Sequence, residues 1–86
     1  MNQKEARILI GSRIREARIY RGLKQSELAA KLYMSQPMLS GIERGQHLID
    51  VALLRCISET LRVSILYLLG YPKEVCILVE RRLFKN

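Results

Sequence analysis

The sequence predicts an all-α fold of five helices followed by a tail helix, and three observations predict it. Between Gln25 and Gly45, two short helical patterns flank the break Tyr33-Met34-Ser35. Beyond them, two apolar stripes at helical spacing each follow a side chain suited to capping a helix. Hydrophobic residues make up 49% of the 86 positions, enough for a single helical domain of this length to fold unaided, if marginally.

Up to Lys24 the chain holds seven basic residues (Lys4, Arg7, Arg13, Arg15, Arg18, Arg21, Lys24) against two acidic ones, Glu5 and Glu16. A first helix there carries a positive flank toward a polyanion, or simply a solvated charged face. The second helix is read through Gln25 to Leu32, with Leu28 and Leu32 on one face and Ala29 small enough for another helix to cross closely. The third opens at Ser35, whose hydroxyl suits an N-cap, and it tolerates Pro37 in its first turn. Leu39 and Ile42 form its inner face. Gln36, Ser40 and Arg44 lie four apart on the other, flanked by Pro37 and Gly41, a polar ridge narrow enough for a base-pair edge to approach. A mid-helix glycine costs about 1 kcal/mol relative to alanine. Close approach of backbone to a partner is the usual compensation, so Gly41 is read as an exposed, side-chain-free point of the ridge. Spacing alone also fits an amphipathic hairpin in any small bundle, with Gln36 and Ser40 merely solvated.

Asp50 is placed to cap a fourth helix with the apolar face Val51, Leu54, Ile57 and Leu61. Ser64 is placed to cap a fifth carrying Ile65, Leu68 and Leu69 before Gly70 ends it. After Tyr71, Pro72 at a first helical position and Glu74 behind it signal a tail helix. There Val75, Val79 and Leu83 form one stripe, while Cys76, Ile77, Leu78 and Phe84 spill onto other faces. A helix apolar on two sides calls for two partners, its own domain and a second copy of the chain; the other reading is a helix or short strand folded onto its own core. The expected division is therefore a domain at 1–70 and a dimerisation or partner-binding tail at 71–86, with Val75, Ile77, Leu78, Val79, Leu83 and Phe84 making the contacts.

Fifteen Lys and Arg against eight Asp and Glu give a formal charge of +7 and a pI near 9.9, the electrostatic footprint of a polyanion binder. No stretch approaches the roughly twenty apolar residues that span a bilayer, and the N-terminus lacks the apolar core of a signal peptide, so a cytoplasmic location is expected. Cys56 and Cys76 lack CxxC spacing and read as small apolar fillers in a reducing compartment. The single histidine, His47, has no Cys, Asp or His at ligand spacing; with Gln46 it falls in a loop that can meet a nucleic-acid backbone. There is no nucleophile with a paired base, no carboxylate pair and no phosphate-cradling glycine loop, so neither an enzyme nor a cofactor is expected.

The run Ile10-Gly11, Ile14, Arg18, Gly22-Leu23, Gln25, Glu27-Leu28-Ala29, Leu32, Ser35-Gln36, Leu39-Ser40, Ile42-Glu43, Gly45, Leu54, Ile57, Leu61, Val63-Ser64 and Leu68-Leu69 resembles the helix-turn-helix domain of the phage Cro and repressor type, the Xre family. The resemblance covers about Ile8 to Gly70 and implies a five-helix repressor-like DNA-binding domain. It implies that Gln25 holds a phosphate and that Gln36 reads a base; a glutamine amide matches the N6 and N7 edge of adenine. Ser40 and Gly41 match positions that face bases, Lys24 and Arg44 sit where phosphate contacts are expected, and Ser35 and Pro37 complete the candidate set.

Two residues depart from the family pattern. Tyr33 stands where the turn calls for a positive φ and usually for glycine; a bulky residue there costs roughly 1 to 2 kcal/mol, so either the turn is reshaped or the fold bears the strain. Pro37 replaces a polar base reader with an apolar contact, such as one to a thymine methyl. The resemblance also implies a buried pair between Arg18 and Glu43, which sequence pattern alone reads as two surface charges. The function implied is a sequence-specific transcriptional regulator, expected to act as a repressor on a palindromic operator, with a homodimer presenting two recognition helices about 34 Å apart on double-stranded DNA. The alternative is an antitoxin or adaptor gripping a protein partner through its tail.

Overall fold

The computed structural model describes residues 1–72 and 74–76. Five helices follow one another along the chain: α1 (Gln3–Tyr20), α2 (Gln25–Lys31), α3 (Gln36–Glu43), α4 (Val51–Leu61) and α5 (Ile65–Leu68). No strand occurs among the described residues. Four of the helices start on a short polar side chain that accepts from an otherwise orphaned backbone N–H. Asn2 Oδ1 accepts from Glu5 N at 2.8 Å, Ser35 Oγ from Met38 N at 3.2 Å, Asp50 Oδ1 from Leu53 N at 2.7 Å, and Ser64 Oγ from Leu66 N at 3.1 Å. α2 starts differently: the Glu27 carboxylate reaches back to accept from Lys24 N at 2.8 Å.

The core lies where α1, α3, α4 and α5 turn their three-and-four-spaced apolar positions inward over α2. Ile14, Leu28, Leu39, Ile42, Ile57, Leu61 and Leu68 are fully enclosed there. Gly11 lets α1 lie directly on the end of α3: a Cβ at that position would stand 2.7 Å from the Glu43 carbonyl oxygen. Helix ends are equally specific. α2 closes through Tyr33 at φ 57, with Met34 N donating to Ala29 O at 3.0 Å, a six-to-one closure that satisfies a carbonyl left over by the helix. α4 closes the same way through Arg62 at φ 54, with Val63 N donating to Ser58 O at 3.1 Å.

Several expectations about burial are corrected. Val51 is 79% exposed: it opens α4 ahead of the core, so being in register with Leu54 and Ile57 does not cover it. Leu69 is 39% exposed because it follows the last helical residue of α5, where the turn toward Gly70 redirects it. Cys56 is exposed rather than a filler, whereas Cys76 is buried.

The positive flank expected of α1 is also partly consumed inside the protein. Arg13 lies over the Tyr67 ring at 4.6 Å and donates to the Tyr67 carbonyl at 3.2 Å. Arg21 donates to the carbonyls of Leu61 and Arg62 at 2.7 and 2.8 Å, closing the α4 terminus. Arg18 is buried.

In the tail, Val75 N and Cys76 N donate to Pro72 O at 3.1 and 3.2 Å, so residues 74–76 begin a helical turn as expected. Val75 is 38% exposed. Ile77, Leu78, Val79, Leu83 and Phe84 lie outside the described residues. No helix among the described residues is long and apolar enough to cross a membrane.

Candidate nucleic-acid interface

α3 is anchored on one side by a network of charge. The guanidinium of Arg18 in α1 donates to Glu43 through Nε to Oε2 at 2.7 Å and Nη2 to Oε1 at 3.1 Å, and through Nη1 to the Leu23 carbonyl at 2.8 Å. From the start of α2, Gln25 Nε2 donates to the same Glu43 Oε1 at 3.0 Å. One carboxylate thus gathers donors from α1 and α2 onto the last residue of α3. Both members of the ion pair are buried, Arg18 at 9% and Glu43 at 5% exposure. Among the described residues no buried side-chain nitrogen or oxygen lacks a partner, so the charge is compensated where desolvation would otherwise make it costly. The pair implied by the resemblance is therefore present, and its fork-to-fork geometry fixes orientation as well as distance.

Beyond Glu43 the chain turns sharply away. Gly45 adopts φ 76, Gln46 N donates to Gly41 O at 2.8 Å, and a Cβ on Gly45 would stand 2.7 Å from Ile8 Cα. Only glycine meets both demands, the left-handed backbone and the contact with α1.

The opposite end of α3 faces solvent. Ser35, Gln36 and Pro37 are exposed, as is Met38 at 43%, while Ser40 is half-buried. Arg44 is exposed and its Nε donates to Ser40 O at 3.2 Å, laying the guanidinium along the outward edge. Lys24 is exposed at the N-cap of α2 and Gln25 is half-buried beside it. Tyr33, in the turn between the two helices, is 98% exposed and retains the left-handed conformation. The turn is not reshaped; the rest of the fold bears the strain.

One member of the candidate set lies on the outward side, as spacing places it, but is not exposed there. Gly41 is buried, and a Cβ there would collide with Cδ2 and Nε2 of His47. The glycine that spacing alone makes a bare point on the ridge instead receives a ring from the following loop. No local pattern reveals this, since the ring comes from six residues further along.

Two short helices joined by a tight turn, the second held rigidly at its C-terminal end and bare at its N-terminal end, make a helix-turn-helix. The chain belongs to the helix-turn-helix family HTH_3, whose model matches residues 14–68, and is a DNA-binding transcriptional regulator of the Xre type. No curated protein matches the chain in sequence. Among solved structures it is similar to the restriction-modification controller protein C.AhdI from Aeromonas hydrophila, with a TM-score of 0.72 and 25% identity over 79% of this chain and 99% of that one. It also shares its fold with the hypothetical transcription factor NHTF from Neisseria (TM-score 0.74, 24% identity, 91% of this chain and 90% of that one). A third likeness in fold is an HTH_3 family transcriptional regulator from Vibrio cholerae (TM-score 0.73, 24% identity), where the match spans 86% of this chain and 42% of that one.

Proposed function

We propose that this chain is a repressor that binds a palindromic operator as a homodimer, with the exposed end of α3 in the major groove. The observation that carries the reading is the asymmetry of α3: Gln36 and Pro37 are exposed at one end while Glu43 is held from two other helices at the other. Gln36 reads an adenine edge, Pro37 meets a thymine methyl and Ser40 lines the groove beside them. Ser35, Lys24 and Arg44 flank that edge and contact phosphates. Gln25 contributes to the same end, because Glu43 engages one N–H of its amide and leaves the second for a phosphate. The net charge of +7 supports a binding free energy dominated by counterion release.

In this reading, residues 1–70 are the DNA-binding unit and 71–86 the dimerisation tail, through Val75, Ile77, Leu78, Val79, Leu83 and Phe84. Two copies related by a two-fold axis present recognition helices about 34 Å apart, one turn of duplex. The likeness to a restriction-modification controller protein supports control of an operon of that kind. Selecting bound sequences from a random DNA pool tests specificity and symmetry together: two inverted half-sites about one helical turn apart are expected, and a single asymmetric site would overturn the dimer. Sedimentation adds an independent arm. Full-length protein is expected to be a dimer and protein cut after Gly70 a monomer; a monomer at full length would remove the tail's role.

A further inference from the structure

We infer that His47, from the loop after α3, is a specificity-determining residue that reads a base edge in place of a side chain at position 41. The inference rests on α3 entering the major groove. Successive residues of an α-helix advance by about 100°, so Leu39, Ile42 and Glu43 share one inward arc and Gly41 lies about 150° from its centre, on the outward side next to Pro37. Yet Gly41 is buried. What covers it is the imidazole of His47, whose Cδ2 and Nε2 occupy the space that a Cβ would need. The loop is held in place for this, since Gln46 N donates to Gly41 O at 2.8 Å immediately before the histidine.

The ring stands on edge. Its next nearest atom, Cε1, is 3.7 Å from the same point, so the far side of the imidazole is turned away from the helix. In either flip of the ring one nitrogen remains clear of Gly41. His47 is itself exposed. A hydrogen-bonding aromatic group therefore sits on the groove-facing side of α3, one turn beyond Pro37, where α3 itself presents no side chain. A neutral imidazole offers one donor and one acceptor, and its donor matches the acceptor atoms that purines and thymine present in the major groove. The mid-helix glycine is thereby explained as the seat of this ring.

The test compares His47→Phe, which keeps a flat ring on Gly41 but removes its nitrogens, with Gln36→Ala on a panel of operators carrying single base changes. His47→Phe is expected to keep the wild-type unfolding midpoint and to lose roughly tenfold of preference at one base position per half-site, distinct from the position that Gln36→Ala relaxes. Gly41→Ala, which drives the ring off its seat, is expected to relax that same position. Uniform weakening on all sequences would make His47 a phosphate contact and overturn the inference, as would unchanged preference in both His47→Phe and His47→Ala. If Gln36→Ala also leaves every position unchanged, the placement of α3 in the groove fails first.

Discussion

The two sides of α3 solve opposite problems with the same eight residues. On the inward side, Leu39 and Ile42 are fully enclosed and Glu43 is saturated with donors from Arg18 and Gln25. On the outward side Gln36 and Pro37 are left to solvent. Buried charge pairs are seldom a net source of stability compared with apolar residues of similar volume; their better-attested use is to specify a unique arrangement. Here the specified quantity is the angle at which α3 leaves the scaffold. The comparison teaches that orientation is encoded at the C-terminal end of the helix while its N-terminal end is left to solvent, so, with recognition at that end as proposed, substitutions should separate the two.

The largest effect that would break this division is on the inward side. Glu43→Ala strands a buried guanidinium and should cost about 3 to 5 kcal/mol in chemical denaturation, whereas Arg18→Met combined with Glu43→Leu should cost far less while disturbing DNA affinity. If the double variant binds DNA as the wild type does, the pair does not orient the helix. On the outward side, Gln36→Ala should leave the unfolding midpoint unchanged and remove about 1 to 3 kcal/mol of discrimination at one base position per half-site, read from binding to matched and altered operators. In the turn between α2 and α3, Tyr33→Gly relieves the left-handed strain at an exposed residue and should raise stability by about 1 kcal/mol, measured by thermal unfolding.

The smallest effect lies away from α3, in the scaffold, and is read by pH. The Tyr67 hydroxyl donates to the Glu16 carboxylate, joining α5 to α1. Burial, and after it that bond and the charge of Glu16, push the Tyr67 pKa from its ordinary 10.0 up to about 12. A raised pKa means that the folded protein holds this proton more tightly than the unfolded chain. The contribution is therefore complete below about pH 10 and is lost as the pH climbs toward 12. Unfolding midpoints measured across that window should fall less steeply in Tyr67→Phe than in the wild type.

The parts of this fold that were legible in the sequence are those set by neighbours within one helical turn. Ser35, Asp50 and Ser64 cap helices because a short hydroxyl or carboxylate reaches an N–H two or three residues on, and that chemistry shows in the local sequence. The inward positions Leu28, Leu39, Ile42, Leu54, Ile57 and Leu61 were likewise legible from period. What was not legible depends on partners far along the chain. Arg13 and Arg21 read as surface charge, but their acceptors belong to α5 and the end of α4. The Arg18–Glu43 pair became visible only through likeness to a family. Val51 shows the limit of periodicity, which assigns a residue to a face without saying where the covering layer stops. Gly41 shows another: spacing put it on the outward side correctly, but exposure there is decided by a ring that helical geometry does not describe.

The two glycines where α1 meets the end of α3, Gly11 and Gly45, leave no slack between backbones. With α3 as the proposed recognition element, a helix seated this tightly has little ordering left to do when it reaches its target, so the entropic charge for making contact is small. Encounter should then behave as the docking of two preformed bodies, its rate set by diffusion and long-range attraction and slowed by added salt, with no separate folding phase.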